Sequence, residues 1–254
     1  KNIIAVASGK GGVGKSTTAV NLALALSAEG ANVGILDADI YGPSQPRMLG
    51  AQGAKPESPD GKQLKPVNSY HLQSMSIGYL VEEDTPMIWR GPMVTQALEQ
   101  LLKETQWEDV DYLVIDLPPG TGDTQLTLAQ KIPVSGAVIV TTPQDIALLD
   151  AVKGLKMFEK VEVPVLGVVE NMSIHICSNC GHEEHIFAEG GGQRMADESN
   201  VDFLGGLPLD KQIRSDTDEG KPTVVADPEG QIARIYREIA RRTAAKLAQQ
   251  KTSF

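Results

Sequence analysis

The chain has 254 residues, of which 41% are hydrophobic and 22% are charged, and its formal net charge is −10. That length and hydrophobic share suit one large globular domain, while the excess of acidic side chains argues against a protein that coats nucleic acid. No apolar run approaches the roughly 20 residues of a membrane span, and no signal peptide is recognisable, so we expect a cytoplasmic protein that binds neither nucleic acid nor membrane.

The first predicted strand, residues 3–7, leads directly into a glycine-rich loop, and residues 18–28 predict the helix that follows. The loop matches the phosphate-loop pattern G-x-x-x-x-G-K-[S/T] in full. Its glycines let backbone N–H groups approach phosphate oxygens closely. We therefore predict a nucleotide site in which Lys15 contacts the β- and γ-phosphates and the Ser16 hydroxyl ligates Mg²⁺. The residues assigned to nucleotide binding are Gly9, Lys10, Gly11, Gly12, Val13, Gly14, Lys15, Ser16 and Thr17.

A second lysine, Lys10, directly follows the first glycine of this loop. The segment resembles the deviant phosphate loop, K-G-G-x-G-K-[S/T], of the MinD/ParA/nitrogenase-iron-protein group of ATPases. In that group the extra lysine reaches across a dimer interface to the partner's nucleotide. The resemblance implies a homodimer that holds ATP between its subunits, with Lys10 and Lys15 both catalytic. A solvated surface lysine is the alternative interpretation of Lys10.

The second predicted strand, residues 32–37, ends at Asp37, and a second aspartate, Asp39, follows two positions later. Taken alone, a D-x-D pair is equally consistent with a turn exposed to solvent and with a functional site. The longer run D-A-D-I-Y-G-P-S, however, resembles the switch I region of the same ATPases. The resemblance implies that Asp39 orients the attacking water, which phosphoryl transfer requires, and that Asp37 supports the hydration shell of Mg²⁺.

The strand predicted at residues 112–116 ends in Asp116 and continues into the run L-P-P-G. An acid at the end of a buried strand beside a phosphate loop suits contact with magnesium-bound water, so we assign Asp116 to magnesium. A strand-capping aspartate is the simpler alternative. Gly120, the last residue of that run, is positioned to donate its N–H to the γ-phosphate and so to sense hydrolysis.

Further apolar strands alternate with helical patterns along the rest of the chain, which predicts a mostly parallel sheet covered by helices on both faces. We therefore expect a three-layer P-loop NTPase fold in one domain, residues 1–254. Because the chain starts at Lys1, almost inside the first strand, we also expect an N-terminal segment or small domain to precede it in the full protein.

The other predicted helices are residues 91–105, 123–131, 145–160, 190–199 and 228–249, and the other strands lie within 71–80 and at 137–141, 163–170 and 203–207. Residues 50–70 predict an exposed excursion.

Asn171 follows the strand predicted at residues 163–170. In the ATPase group that this chain resembles, an asparagine at this point reads the adenine edge, and an amide suits that task because it both donates and accepts hydrogen bonds. Pro208 falls where the group places a second base-contacting loop. Both assignments are implied by the resemblance.

Cys177 and Cys180 form a C-x-x-C pair, and they are the chain's two cysteines, which excludes a disulfide framework. Two thiolates are half of the four-cysteine set that iron–sulfur clusters normally use, and a homodimer would supply the other half at its two-fold axis. The competing interpretation is a zinc site within one chain, formed with His182 and His185. In purified material, zinc is the expected substitute for iron at this site. A thioredoxin-like redox motif is less well supported, because nothing nearby resembles that unit.

Several motifs together resemble the Mrp/ApbC iron–sulfur cluster carrier ATPases, over essentially the whole chain. They are the deviant loop, D-A-D-I-Y-G-P-S at residues 37–44, W-R-G-P at 89–92, D-L-P-P-G-T-G-D at 116–123 and C-S-N-C at 177–180. The resemblance implies a slow ATPase that binds a labile [4Fe–4S] cluster between subunits and hands it to apo iron–sulfur proteins. Arg90, within W-R-G-P, is a candidate for the dimer groove or for a surface ion pair.

Two other functions stay open. One is a ParA/MinD-like spatial organiser in which the C-x-x-C loop is a structural zinc site, and the basic residues of the last helix bind an anionic surface. The other is a reductase like the nitrogenase iron protein, whose cluster cysteines are well separated in sequence. The last helix also carries an apolar stripe at helical spacing, which predicts that it docks on the sheet and leaves its basic face solvated. The stripe is Ile232, Ile235, Tyr236, Ile239, Thr243 and Leu247.

Overall fold

The computed structural model describes residues 2–59, 61–81, 91–177 and 179–251. Its strands, in chain order, are β1 (Asn2–Ala7), β2 (Val33–Asp37), β3 (Val67–Ser69), β4 (Leu72–Ser76), β5 (Tyr112–Asp116), β6 (Gly136–Thr141), β7 (Val165–Glu170), β8 (His175–Ile176), β9 (Glu183–Glu184) and β10 (Phe203–Gly206). Its helices are α1 (Lys15–Ala28), α2 (Gln45–Met48), α3 (Gly91–Glu104), α4 (Asp123–Lys131), α5 (Asp145–Lys160), α6 (Gly191–Glu198), α7 (Lys211–Asp218), α8 (Thr223–Ala226) and α9 (Gln231–Lys251).

Within the described residues, eight strands form one sheet in the order β10-β7-β6-β1-β5-β2-β4-β3. Neighbouring strands run parallel, except that the edge strand β3 is antiparallel to β4. Since β1 lies between β5 and β6, the order along the sheet departs from the order along the chain, which requires helical crossover connections. The predicted mostly parallel sheet is confirmed.

Two hydrophobic cores lie on opposite faces of the sheet, because successive residues of a strand point to opposite sides. On β1, Ile4 and Val6 pack in the core that contains α1 and α9, whereas Ala5 and Ala7 pack in the core that contains α3, α4, α5 and α6. Every residue of β2 and of β6 is buried. Helices therefore cover both faces, as the three-layer prediction requires.

The last helix docks on α1 and on the sheet through its apolar stripe. Tyr236, Ile239, Thr243 and Leu247 are each at most 3% exposed, and the three apolar ones belong to the core that contains α1. Thr243 satisfies its hydroxyl by donating to the carbonyl of Ile239, at 2.8 Å. The predicted docking face of the helix is confirmed.

The prediction of an exposed excursion over residues 50–70 is wrong at its end. Residues 67–69 form β3, which pairs with β4, and the Ser74 hydroxyl donates to the carbonyl of Val67 at 2.8 Å. A three-residue edge strand is too short to leave an alternating pattern in the sequence. The short helices α2, α7 and α8 were not predicted either. None of the described helices has the length and hydropathy that crossing a membrane would require.

Candidate functional site

The loops that carry the predicted motifs meet at one edge of the sheet, because the carboxyl ends of parallel strands lie together. The phosphate loop follows β1, and Asp116 ends β5 directly beside Val6 of β1. Asp37 ends β2 and is paired in register with Asp116. Asn171 directly follows β7. The structure thus brings together residues that are up to 158 positions apart, such as Asn171 and Val13.

The backbone of the phosphate loop is too tightly surrounded to carry side chains at two of its glycines. A Cβ on Gly14, which has φ 82°, would lie 2.1 Å from Nδ2 of Asn171. A Cβ on Gly9 would lie 2.2 Å from the carbonyl carbon and oxygen of Asp150 in α5. The loop borders an open cavity of about 270 Å³ that Lys10 and Ser16 also line. This cavity has the glycine-rich wall expected of a phosphate site.

Lys15 is bound to Asp116 in the structure. The lysine is 6% exposed and the aspartate is fully buried, and the ammonium pairs with Oδ1 of the carboxylate. Nζ also donates to the Ser16 hydroxyl at 3.1 Å. The other carboxylate oxygen, Oδ2, accepts a hydrogen bond from Nε2 of Gln45 at 2.9 Å. The buried lysine therefore has two side-chain partners, Asp116 and Ser16, and its contact with a nucleotide stays a prediction.

Asp37 is an anchor for the loop that follows β2. It is fully buried, and its carboxylate accepts from the backbone N–H groups of Ser44 at 2.9 Å, Gln45 at 3.0 Å and Asp39 at 3.2 Å. The Ser76 hydroxyl donates to it at 3.2 Å. Burial, together with the neighbouring negative charge at the end of β5, raises the pKa of Asp37 to about 7. The side chain holds residues 39–45 in place, and a part in the magnesium hydration shell stays a prediction.

Asp39 lines the phosphate cavity beside Lys10 and Lys15. Burial raises the pKa of its carboxyl above the ordinary value, against the opposing effect of the Lys15 ammonium. Gly120 has a positive φ of 100° and donates its N–H to the carbonyl of Ser8 at 3.0 Å. Sensing a γ-phosphate, as predicted for Gly120, would therefore require this bond to be exchanged for one to the phosphate.

A second cavity, of about 300 Å³, adjoins the first and shares Gly14, Thr17 and Met48 with it. Asn171 and Pro208 both line it, and their contacts to a base stay a prediction. The Asn171 amide donates to the carbonyl of Val13 at 2.9 Å. The first cavity is the more polar of the two and the second is the more apolar. This difference suits a nucleotide, because its phosphates are charged and its base is largely apolar.

Part of the wall of this second cavity comes from residues that sequence reasoning missed. Ile213 and Arg214 belong to α7 and line the cavity together with Met48 of α2. A signal for α7 was present, because Asp210 caps its first turn by accepting from the N–H of Gln212 at 2.7 Å. Nothing in the local sequence indicated that either helix would face the nucleotide loop.

The two cysteines lie in a short hairpin in which β8 and β9 pair antiparallel. The N–H of Cys177 donates to the carbonyl of His182 at 2.9 Å, and the N–H of Gly181 donates to the carbonyl of Cys177 at 2.8 Å. Cys177 is half-buried, and Cys180 is exposed. Hydrogen bonds from the backbone N–H groups of Asn179 and Cys180 lower the pKa of the Cys177 thiol. The turn thus favours the thiolate, the form that binds metals.

The first residues of the hairpin are hydrogen-bonded to the loop after β10, which borders the second cavity. Ser173 donates its N–H to the carbonyl of Leu207 at 2.9 Å, and Leu209 donates to the carbonyl of Ile174 at 2.7 Å. Nδ1 of His175 lies 3.1 Å from the carbonyl of Leu209, to which it donates. The cysteine hairpin and the nucleotide edge of the sheet are therefore in direct contact.

The zinc alternative lacks an assembled ligand set. Nδ1 of His185 lies 2.9 Å from the carbonyl oxygen of Ser173, and its Nε2 lies 3.8 Å from the carboxylate of Glu189. In the part of the chain that the structure describes, no three His, Cys, Asp or Glu side chains are grouped so that they could hold a metal ion. The two thiols of one chain therefore form an incomplete site. Arg90 and the first half of the W-R-G-P motif lie outside the described residues.

Comparisons with known proteins agree with this geometry. A family model described as ParA: NUBPL iron-transfer P-loop NTPase matches residues 1–244. The "Iron-sulfur cluster carrier protein" of Escherichia coli (strain K12) is 65% identical over 247 residues, which are 97% of this chain and 67% of that protein. The "Iron-sulfur cluster transfer protein NUBPL" of Mus musculus is 51% identical over 249 residues, 97% of this chain and 78% of that protein.

Solved structures share the fold. A nucleotide-binding protein in complex with ADP from Archaeoglobus fulgidus aligns with a TM-score of 0.80 at 36% identity, covering 92% of this chain and 91% of that one. The cell division ATPase MinD from Pyrococcus furiosus aligns with a TM-score of 0.73 at 23% identity, covering 96% and 98%. At that identity the second likeness concerns the architecture alone.

Proposed function

Because the chain belongs to the ParA/NUBPL family of iron-transfer P-loop NTPases, we propose that it is an ATP-dependent carrier of iron–sulfur clusters. The observation that carries this proposal is the contact between two features at one edge of the sheet. One is a pair of adjoining cavities beside a phosphate loop, the first more polar than the second. The other is a hairpin that presents two thiols and belongs to no group of three metal-binding side chains among the described residues.

We assign the first feature to binding and hydrolysing ATP. Lys15 would leave Asp116 and bind the β- and γ-phosphates, and Lys10 would reach the nucleotide of the partner subunit. Asn171 and Pro208 would contact the base. Asp39, which lines the phosphate cavity, would orient the attacking water. Most of the rate enhancement in such a site comes from positioning and from stabilising the charge of the transferring phosphoryl group.

The residues at the phosphate cavity fit a magnesium ion, which prefers oxygen ligands. The Ser16 hydroxyl lines the cavity, and the Asp116 carboxylate would become available when Lys15 leaves it. Asp37 would act through the loop that it anchors. Bound Mg²⁺ would neutralise charge on the β- and γ-phosphates.

The cluster is the cargo of this protein, and we propose that two chains hold it together. A [4Fe–4S] cluster normally takes four thiolates, whereas each chain supplies two, Cys177 and Cys180. A symmetric homodimer brings two identical hairpins to its axis, and this arrangement completes the set. Apo iron–sulfur proteins would be the recipients.

Anaerobic reconstitution with iron and sulfide tests this proposal. We expect about four iron and four sulfide per dimer, with the loaded protein dimeric on the same column. Cys177→Ser and Cys180→Ser should each lose the cluster and retain nucleotide binding. His182→Ala and His185→Ala are the matched controls and should keep it. One zinc per monomer, lost with either histidine, would overturn the proposal.

A spatial organiser has less support, because the basic face of α9 is largely engaged within the chain. Arg237 and Arg241 both bind Glu29, at 2.6 Å and 2.8 Å. Arg242 pairs with Glu238 and Lys246 with Asp202. Arg241 and Arg242 are still 55% and 51% exposed, so this face is solvated as expected, although its cations are paired. These pairs leave fewer cations available for an anionic surface.

A further inference from the structure

Gln45 connects the three segments that surround the phosphate cavity, and no motif marks it. The residue is fully buried at the start of α2. Its side-chain Nε2 donates to the carbonyl of Ser16 at 3.1 Å and to Oδ2 of Asp116 at 2.9 Å. Its backbone N–H donates to Asp37 at 3.0 Å. One side chain thus joins the phosphate loop, the loop after β2 and the end of β5.

The orientation of the Gln45 amide follows from its partners. Nε2 lies between a carbonyl oxygen and a carboxylate oxygen, and both of these atoms only accept hydrogen bonds. The reverse orientation would place Oε1 against two acceptors and is disfavoured. Oε1 is therefore directed elsewhere. Although it is buried, it has no hydrogen-bond partner among the described residues.

The neighbouring hydroxyl has the same property. Oγ of Ser44 is buried without a hydrogen-bond partner in the described part of the chain, and Ser44 lines the phosphate cavity. Buried polar atoms are nearly always paired, so an unpaired one indicates a missing partner. The Gln45 oxygen requires a hydrogen-bond donor, whereas the Ser44 hydroxyl, which lines the phosphate cavity, can accept or donate. Water molecules bound to a magnesium ion are donors of this kind.

Gln45 would also hold the Asp116 carboxylate in place when nucleotide binding draws Lys15 away. When Lys15 moves to the phosphates, Asp116 loses the ammonium from Oδ1. Among the described residues, the carboxylate then keeps the hydrogen bond from Gln45 to Oδ2. The amide carries no charge, so it keeps Asp116 oriented without competing with a cation for that carboxylate.

We propose that Gln45 is a positioning residue for the magnesium–nucleotide state: it orients Asp116 after Lys15 leaves and, with Ser44, offers oxygens to magnesium-bound water. This role rests on the proposed ATP-dependent function and adds to it a residue whose effect on nucleotide binding depends on the metal. It predicts that Gln45 matters for nucleotide affinity in the presence of Mg²⁺ and is dispensable in its absence.

The test measures binding of a fluorescent ADP analogue to the full chain, with Mg²⁺ and with EDTA. Gln45→Met, which keeps the volume and removes the amide, should weaken binding roughly tenfold with Mg²⁺, as losing one hydrogen bond to a charged group would. With EDTA its affinity should stay within about twofold of the parent. Arg47→Met is the matched control, since Arg47 lies on the same short helix and is exposed. It should match the parent in both solutions.

Equal weakening in both solutions would mean that Gln45 only supports the fold, and an unchanged affinity in both would also overturn the proposal. If Gln45→Met does not fold, Gln45→Asn provides the same test, because the shorter amide cannot span Ser16 and Asp116 together. A parent chain that binds no nucleotide would refute the ATP-dependent function itself. A parent with magnesium-dependent binding and an unaffected variant would refute the role of Gln45 alone.

Discussion

Replacing Lys15 with methionine should destabilise the nucleotide-free protein as well as abolish nucleotide binding. Lys15 and Asp116 form a pair that is 6% and 0% exposed. Removing one member of a buried ion pair costs about 3–5 kcal/mol, because the other charge stays buried and uncompensated. Gln45 would still donate to Asp116, so we expect the lower end, about 3 kcal/mol. For a chain of this size that corresponds to a fall in Tm of roughly 6–12 °C.

The double variant Lys15→Met/Asp116→Asn separates stability from binding. With both charges removed, the desolvation cost also disappears, and such replacements are often close to neutral. We expect the double variant to recover to within about 1 kcal/mol of the parent and still to bind no nucleotide. Lys153→Met is the control, because its pair with Asp150 is exposed and worth at most about 1 kcal/mol.

The assay is urea denaturation of the three variants and the parent in EDTA without nucleotide, followed by nucleotide titration of the same samples. If Lys15→Met is as stable as the parent, the buried pair does not exist in solution. If the double variant is no more stable than Lys15→Met, the loss does not arise from an uncompensated Asp116. Either result would refute the reasoning.

Two further predictions concern acidic side chains. Asp39→Asn should keep nucleotide affinity and lower turnover at least about 100-fold, which is the effect of losing a positioned acid–base group. The measurement is phosphate release and nucleotide affinity on the same samples. An equal loss of both would assign Asp39 to magnesium binding or to folding. Arg241 and Arg237 lower the pKa of Glu29 to about 2 from an ordinary 4.5. The ionised Glu29 carboxylate therefore stabilises the folded protein fully above pH 4.5, and this stabilisation is lost as the pH falls towards 2. Glu29→Gln should therefore lower Tm at pH 7, by the equivalent of up to about 1 kcal/mol, and should lower it by less at pH 3.5. An equal fall in Tm at the two pH values would contradict this prediction.

Much of the architecture was predictable because its signals are local. The strand that ends at Asp116 and the helices α4 and α5 were predicted with the bounds that the structure has, since buried apolar runs and helical periodicity are properties of short windows. The phosphate loop is likewise contiguous. Its glycines and Lys15 could be assigned without knowledge of any other part of the chain.

The contacts among the motifs were decided by tertiary structure. The sequence alone indicated that Asp37, Asp116 and Lys15 would meet at one edge of the sheet, but not that Lys15 would bind Asp116 or that Asp37 would hold backbone amides of its own loop. Gln45 belongs to no motif, and its role depends on partners 29 and 71 positions away. The physical reason is that a buried polar group must take whichever partner the packing places beside it, and a local pattern contains no information about that neighbour.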